Sequence, residues 1–122
     1  MEHANTTAGP IKVGVITDQT GPLSFMGIAN ANVATMVIDD INAGGGLLGR
    51  QVALYLEDSA TTDSAAEAAA RKLVTDDHVD VIFGGIYSST RQAIKGPAVT
   101  DGKTLYIYPE QYEGPARARY RR

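Results

Sequence analysis

The chain has no cysteine and only two histidines among its 122 residues. The lack of cysteine excludes disulfide bonds, thiolate metal sites and thiol nucleophiles. His3 lies in a polar N-terminal segment, and His78 lies in an acidic stretch that precedes a predicted strand, away from the strand ends where ligands bind. Neither histidine is placed to act as the base of a Ser-His-Asp triad, so the sequence predicts no catalytic residue, no metal site and no cofactor.

Long apolar runs are missing as well. No stretch of the sequence approaches the roughly 20 apolar residues that a transmembrane helix needs. Residues 1–10 lack the basic start and the apolar stretch of a secretory signal peptide. We expect residues 1–10 to form a disordered leader and the chain, as written, not to enter a secretory pathway.

Basic residues are scarce outside the last eight positions. Four of the eleven lysines and arginines lie in the tail 115–122, which leaves seven basic against fourteen acidic residues in the rest of the chain. An acidic body with a short basic tail offers no broad basic face. Nucleic acid is therefore not an expected partner.

Strand-like and helix-like segments alternate along the chain. Short β-branched runs bounded by glycine, proline or aspartate predict four strands, over residues 11–16, 51–57, 79–83 and 105–108. Apolar residues at helical spacing behind a capping residue predict three helices between them, over residues 24–41, 63–74 and 88–99. Strands that are apolar on both faces are typical of parallel sheets covered by helices on both sides. We therefore expect one α/β lobe with a doubly wound parallel sheet.

The first predicted helix has an apolar stripe, which amphipathic helices turn toward the core. Its members are Met26, Ala29, Val33, Met36, Val37 and Ile41. The helix stops at Gly44, and Gly44, Gly46 and Gly49 match the spacing of a dinucleotide-binding loop. Such a loop must follow a strand and open a helix, whereas this one follows a helix and precedes a strand. We interpret these glycines as a helix stop and a tight turn.

In open parallel sheets, ligands bind outside the carboxyl ends of the strands. Four predicted loops lie there, at residues 18–24, 58–62, 87–90 and 109–114. Asp18 and Asp58 follow the first two strands, as in a phosphorylated receiver domain, but Gly84 and Pro109 occupy the places where a receiver has its next aspartate and its lysine. No two of these loops join a lysine to a carboxylate in an evident catalytic pair, so we expect a non-enzymatic function.

The loop at residues 84–91 has the most informative composition. Gly84 and Gly85 allow a ligand close to the backbone, hydroxyl side chains supply neutral donors and acceptors, and the next helix begins with free N–H groups. These features suit a carboxylate, or the carbonyl of an amide or urea. Tyr87 and Tyr108 would add an apolar wall with a polar tip at the same edge of the sheet. Plain helix capping and half-buried packing of the tyrosines would also account for this composition.

Together these segments resemble the N-terminal lobe of type I periplasmic solute-binding proteins of bacterial ABC transporters, the group that serves branched-chain amino acids, amides and urea. The matching stretches are Ile-Lys-Val-Gly-Val at 11–15 with Thr-Gly-Pro-Leu-Ser at 20–24, Ile-Asn-Ala-Gly-Gly-Gly-Leu-Leu-Gly-Arg at 41–50, and the loop at 84–91. The ending Tyr-Ile-Tyr-Pro-Glu-Gln-Tyr-Glu-Gly at 106–114 looks most like the amide- and urea-binding branch. That branch includes a cytosolic amide sensor that regulates an amidase.

The resemblance implies a clamshell of two α/β lobes that holds a small amide, urea or branched-chain-type amino acid and hands it to an ABC permease. It implies a periplasmic or extracellular location, or a cytoplasmic one if the chain is a sensor. Carried over by position, the family's ligand contacts fall on Tyr87, Ser88 or Ser89, and Tyr108, with Pro109 and Tyr112 in the adjoining wall and Thr90 as a further candidate. The amide branch has one more residue between the tyrosine and the Thr-Arg pair, so the choice between Ser88 and Ser89 stays open.

The family has a second lobe, whereas this sequence stops where the crossover to that lobe should begin. We expect residues 11–114 to form a truncated N-terminal ligand-binding lobe and residues 115–122 to be an unrelated basic tail. A functional pocket buries about 70 to 90% of its ligand, and a lone lobe encloses much less, so we expect weak or undetectable affinity. The surface that faced the second lobe would be partly apolar and would favour self-association.

Overall fold

The computed structural model describes residues 9–112. In chain order, the elements are β1 (Ile11–Thr17), α1 (Ser24–Ala43), β2 (Val52–Asp58), α2 (Asp63–Thr75), β3 (Val81–Gly84), α3 (Ser88–Lys95), a π-helical segment (Gly96–Asp101) and β4 (Leu105–Ile107). The predicted basic tail 115–122 lies outside the described residues, and so does the predicted leader apart from Gly9 and Pro10. Arg50 donates hydrogen bonds to the carbonyl groups of these two residues, at 2.8 and 3.2 Å.

The sheet contains β1 to β4 in the order β2-β1-β3-β4, and every neighbouring pair is parallel. In the register of the central strand, Val15 of β1 pairs with Leu56 of β2 and with Phe83 of β3. The chain winds outward from β1 to β2 and then returns past β1 to β3, so the winding direction reverses between β1 and β3. The predicted doubly wound parallel sheet is confirmed, and its crevice lies at the carboxyl ends of β1 and β3.

The crossover connections place helices on both faces of the sheet. The chain moves one way along the sheet from β1 to β2 and the other way from β2 to β3 and β4; because crossovers in parallel sheets are right-handed, α1 lies on one face and α2 and α3 lie on the other, where they pack together. The largest buried cluster lies on this second face; its fully buried members are Ile16, Ala66, Ala70, Leu73, Ile82, Ile94 and Ala98. Gly14 lets α2 approach the sheet, because a Cβ atom there would lie 2.8 Å from Cδ1 of Leu73.

α1 packs against the sheet through small residues rather than through the predicted stripe. Gly27 and Ala31 are its buried residues, and a Cβ atom at Gly27 would collide with the backbone of Asp18. Val33 and Met36, which we predicted to face the sheet, are 54% and 57% exposed, so that prediction was wrong. Steric fit explains the difference, because glycine and alanine allow the helix to approach the strands more closely than valine or methionine would.

α1 is apolar on several sides, and periodicity alone therefore does not identify its buried face. Phe25 and Ile28 are also exposed, at 72% and 46%. Within residues 9–112, no helix has the length and hydropathy required to cross a bilayer. On the face of the sheet that α1 covers, Leu105 and Ile107 of β4 are exposed. Tyr106 lies between them in sequence and packs against the core on the opposite face.

Most element boundaries differ from the predicted ones by one or two residues, and two of the differences have clear local reasons. The helix predicted over 88–99 is α-helical only to Lys95, because Pro97 lacks the N–H group that regular α-helical bonding requires. The third strand begins at Val81 rather than at Val79, since the Val79 N–H group donates to the Leu73 carbonyl at the end of α2. Neither change moves the loops at the carboxyl ends of the strands.

Candidate functional site

A cleft lies at the edge of the sheet where the sequence predicted a ligand site. It is open to solvent and has a volume of about 510 Å³. Its walls come from the start of α1, the loop between β3 and α3, and the segment after β4; the lining residues are Met26, Ile86, Tyr87, Ser88, Tyr108, Glu110, Gln111 and Tyr112. Apolar, aromatic and hydrogen-bonding groups therefore meet in one concave surface, which is typical of small-molecule sites.

The loop between β3 and α3 owes its shape to glycine. Gly85 has φ of +90°, a conformation that other residues rarely adopt, and a Cβ atom there would lie 3.0 Å from the Tyr106 hydroxyl group. The loop leads to Tyr87 as the N-cap of α3, and among the described residues no side chain caps this end of the helix. The first N–H groups of α3 consequently stay available to a ligand with a carbonyl or carboxylate oxygen.

The hydroxyl groups at the start of α3 divide between two environments. Ser88 lines the cleft. Ser89 and Thr90 instead donate to Oδ1 of Asp63 at the start of α2, at 3.0 and 3.4 Å, and Thr90 is fully buried. Of the three hydroxyl candidates, the geometry leaves Ser88 facing the cleft and uses the other two to join α3 to α2.

Two tyrosines, Tyr106 within β4 and Tyr108 just after it, donate hydrogen bonds to the backbone of the loop between β3 and α3 and of the residue just before it. The Tyr106 hydroxyl group donates to the Gly84 carbonyl at 2.8 Å, and the Tyr108 hydroxyl group donates to the Ile86 carbonyl at 2.7 Å. Burial raises the pKa of Tyr106 above its ordinary value, and the nearby Tyr108 raises it further. Because its proton is already committed, the Tyr108 hydroxyl oxygen can only accept a hydrogen bond from a ligand.

Arg91 supports the aromatic wall. Its guanidinium carbon lies 4.9 Å from the centre of the Tyr108 ring and 5.1 Å from the centre of the Tyr112 ring. The side chain is only 7% exposed and does not line the cleft. A cation over two rings holds both of them in place through cation–π attraction.

Glu110 faces the cleft beside these rings. Its Oε2 atom accepts a hydrogen bond from Nδ2 of Asn30 on α1, at 3.3 Å. It is the one charged side chain among the described residues that line the cleft. We did not select Glu110, Gln111, Met26 or Ile86 from the sequence, although the first two lie in a loop, 109–114, that we placed at this edge.

The predicted site loops at residues 18–24 and 58–62 are joined to each other by hydrogen bonds, and neither contributes a residue to the lining of the cleft. Asp58 accepts hydrogen bonds from the backbone of Gln19 and Ala60 and from the backbone and hydroxyl groups of Thr20, at 2.7 to 3.3 Å. Burial alone would raise the pKa of Asp58, but these hydrogen bonds, led by that of the Thr20 hydroxyl, hold it below its ordinary value. Buried Asp18 accepts from the Ser59 hydroxyl group in the same cluster. This polar cluster fixes the loop that leads into α1.

The predicted site residues therefore fall into two groups. Tyr87, Ser88, Tyr108 and Tyr112 lie together in the cleft. Ser89 and Thr90 bind Asp63, and Pro109 does not line the cleft. Across residues 9–112, no three potential metal-ligating side chains come together, and His78 lies exposed ahead of β3.

Comparison with known protein families gives a match over almost the whole chain. The family model described as periplasmic binding protein matches residues 10–121. Among curated proteins, the Leu/Ile/Val-binding protein BraC3 of Rhizobium johnstonii is 39% identical over 62% of this chain and 19% of its own length. The leucine-specific-binding protein of Salmonella typhimurium is 34% identical over 70% of this chain and 23% of its own length.

Solved structures agree with this match. The branched-chain amino acid transporter substrate-binding protein LivJ of Streptococcus pneumoniae, in complex with isoleucine, superposes with a TM-score of 0.81 and 27% identity, over 86% of this chain and 30% of that one. An ABC transporter substrate-binding protein of Sphaerobacter thermophilus gives a TM-score of 0.72 and 30% identity, over 81% of this chain and 26% of that one. The resemblance predicted from the sequence is confirmed, and the chain spans about a fifth to a third of the length of these proteins.

Proposed function

Because the chain belongs to the periplasmic binding protein family, we propose that it forms a ligand-binding lobe of an ABC uptake system and acts by binding rather than by catalysis. The observation that carries this proposal is the cleft at the crevice of the sheet, where Tyr87, Ser88, Tyr108 and Tyr112 meet beside the N-terminus of α3. The proposed ligand is a small amino acid of the branched-chain type, an amide or urea. The proposed location is the periplasm or the cell exterior, and the proposed partner of the whole protein is an ABC permease.

Three of the relatives named above bind branched-chain amino acids by name, which favours an amino acid among these ligands and favours transport over a cytosolic amide sensor. The composition of the cleft supports a ligand with both apolar and polar parts. Tyrosine rings and Met26 offer apolar contacts, while Ser88 and the N-terminus of α3 offer hydrogen bonds to a carboxylate or carbonyl oxygen.

We propose that this lobe alone binds weakly. The cleft is open on one side, so a ligand bound in it keeps much of its surface in water, whereas full pockets bury about 70 to 90% of a ligand. We expect a dissociation constant of about 1 mM or weaker, which corresponds to about −4 kcal/mol. Submicromolar binding by the monomer would contradict this proposal.

Amide NMR titration of the full chain with isoleucine, acetamide and urea tests the site. We expect shifts at Tyr87, Ser88 and Tyr108, which line the cleft, with at least one of the three ligands. Ser88→Ala should weaken binding about threefold or more, since it removes one hydrogen bond. Ser64→Ala is the matched control, because Ser64 is also an exposed serine in the first turn of a helix. Shifts confined to other surfaces, or equal effects of the two variants, would show that the site is elsewhere.

We also propose that the chain self-associates through apolar groups beside the cleft. Phe25, at the start of α1, is 72% exposed, and Tyr112 is 61% exposed. Sedimentation velocity should show a concentration-dependent oligomer that Phe25→Ser weakens and that the distant Leu48→Ser does not. A monomer at all concentrations would exclude self-association.

A further inference from the structure

We infer that Asp63 is a positioning residue for the cleft: it fixes the first turn of α3 from outside, so that Tyr87 rather than Ser88 caps this helix and the Ser88 hydroxyl group stays free for a ligand. This inference rests on the proposed ligand-binding function and adds a residue on α2 that lies outside the lining of the cleft. It begins from the choice of cap, because serine is a favoured N-cap residue and tyrosine has no side-chain acceptor close to its backbone.

The start of α3 lacks the side-chain cap that its sequence could supply. Tyr87 is the N-cap residue and has extended backbone angles, and among the described residues no side chain caps the helix there. The Arg91 N–H group donates to the Tyr87 carbonyl at 3.1 Å. With Ser88 as the cap, the helix would begin one residue later and the Arg91 N–H group could donate to the Ser88 hydroxyl oxygen instead. The two possible helix starts therefore compete for one donor.

The first turn of α3 is bound by Asp63 at the start of α2. The Oδ1 atom of Asp63 accepts hydrogen bonds from the hydroxyl groups of Ser89 and Thr90, at 3.0 and 3.4 Å. Thr90 is fully buried, and within residues 9–112 Asp63 is the one acceptor for its hydroxyl group. Because a buried hydroxyl group without a partner costs free energy, this contact ties the first turn of α3 to α2 in place of a cap.

Asp63 can serve α3 because another residue caps α2. The Thr62 hydroxyl oxygen accepts from the Ala65 N–H group at 3.2 Å, so the cap of α2 does not use the Asp63 carboxylate. The negative charge of Asp63 also interacts favourably with the N-terminus of its own helix. Asp63→Asn separates the two effects, because it removes the charge and keeps an acceptor oxygen for the hydroxyl groups of α3.

Ser88 is the residue through which Asp63 would act on a ligand. Ser88 lines the cleft, and its hydroxyl group makes no hydrogen bond with any residue that the structure describes. Such a hydroxyl group can donate to a ligand or accept from it. As an N-cap, the same oxygen would accept from the backbone of α3, and the Ser88 backbone would change from helical to extended.

The first measurement needs no ligand. The Cα and Cβ chemical shifts of Ser88 in the full chain report whether its backbone is helical or extended. We expect helical shifts in the wild type and in Asp63→Asn, and extended shifts in Asp63→Ala. The combined variant Ser89→Ala/Thr90→Val removes both donors, leaves the charge of α2 in place and should also give extended shifts. Helical shifts of Ser88 in Asp63→Ala and in this combined variant would overturn the inference.

The control is Glu67→Ala. Glu67 is an exposed glutamate on the same helix as Asp63, and it pairs with Arg71 rather than with α3. Its loss removes one negative charge from α2 and should leave the Ser88 shifts helical. Extended shifts in this variant would mean that the charge of α2, and not the contact with Asp63, selects the cap, which would also overturn the inference.

The second measurement is the dissociation constant from amide NMR titration with isoleucine, acetamide and urea. Asp63→Ala should weaken binding about threefold or more, as Ser88→Ala does, since both variants remove the same hydrogen bond to the ligand. The combined variant Asp63→Ala/Ser88→Ala should bind no more weakly than Ser88→Ala alone, because Asp63 acts through Ser88. Asp63→Asn and Glu67→Ala should bind like the wild type.

The two measurements separate failure of this inference from failure of the proposed function. Effects of Asp63→Ala and Ser88→Ala that add, or wild-type affinity in Asp63→Ala, would overturn the inference and leave the proposed function standing. No binding of any of the three ligands by the wild type would overturn the proposed function, and the Ser88 shifts would then decide by themselves whether Asp63 selects the cap.

Discussion

The contact between Arg91 and the aromatic wall gives a prediction that can be measured as a coupling energy. The Arg91 side chain is 7% exposed, and its guanidinium carbon lies 4.9 Å from the centre of the Tyr108 ring. Cation–π pairs contribute about 0.5 to 1 kcal/mol when exposed and about 2 kcal/mol or more when desolvated. Because Arg91 is buried and Tyr108 is half-buried, we expect a coupling of about 1 to 2 kcal/mol between the two side chains.

A double-mutant cycle isolates this coupling from the other contacts of each residue. The variants are Arg91→Met, which keeps most of the apolar stem, Tyr108→Leu, which removes the ring and the hydroxyl group, and the combination of both. The free energy of unfolding is obtained from urea denaturation. With a slope of about 1 to 3 kcal/mol per molar urea, a coupling of about 1 to 2 kcal/mol corresponds to a shift of the midpoint of about 0.3 to 2 M urea. The cycle cancels whatever else each single substitution removes.

The control cycle pairs Tyr108→Leu with Lys95→Met. Lys95 is an exposed cation in the last turn of the same helix, α3, and has no ring contact among the described residues. Its coupling to Tyr108 should be close to zero. A coupling between Arg91 and Tyr108 below about 0.5 kcal/mol, which is within the usual error of additivity, would refute the role of Arg91 in holding the wall.

Three further predictions concern stability. Asp58→Asn should be less stable than the wild type at pH 7, and the difference in unfolding free energy should vanish in acid. The pKa of Asp58 in the folded state is lowered from 3.8, so the stabilisation from its charge is complete above that pH and is lost as the pH falls through the folded-state pKa. Urea denaturation at several pH values measures this difference. Gly14→Ala should cost about 1 to 3 kcal/mol in unfolding free energy, because the new Cβ atom meets Leu73, and an unchanged melting temperature would contradict this. Ala31→Gln should destabilise by about 1 to 3 kcal/mol and Met36→Gln by less than about 0.5 kcal/mol, and the reverse order in thermal melts would mean that the other side of α1 packs on the sheet.

Much of the fold was predictable because its signals are local. The strands are short β-branched runs between strong turn residues, and each helix begins near a residue of a capping type, although among the described helices only α2 has a side-chain cap, from Thr62; the order of the elements and the parallel sheet therefore follow from the sequence. The buried face of α1 was not predictable in this way. Phe25, Val33 and Met36 are apolar but exposed, and the helix packs through Gly27 and Ala31, whose small size matters only once the backbone of Asp18 lies against it.

The place of the cleft was predictable from topology, whereas the roles of its residues depend on partners distant in the chain. Ser88 and Ser89 are identical in type and adjacent in sequence. They differ in their contact with Asp63, which lies 26 positions before Ser89. Asp63 accepts a hydrogen bond from the Ser89 hydroxyl group, whereas Ser88 lines the cleft. Only the packing of α2 against α3 brings that carboxylate to the start of α3, so no local pattern could have made the choice.

Two charged residues, Arg91 and Glu110, lie near the cleft, but only one of them presents its charge to it. Arg91 follows a hydroxyl-rich loop, where a cation would be expected to attract an anionic ligand. In the structure its guanidinium group lies over the rings of Tyr108 and Tyr112 and does not line the cleft. Glu110, by contrast, lies in the cleft with one oxygen bound by Asn30. Among the described residues that line the cleft, the exposed charge is therefore negative, and the positive charge of Arg91 is not part of the lining.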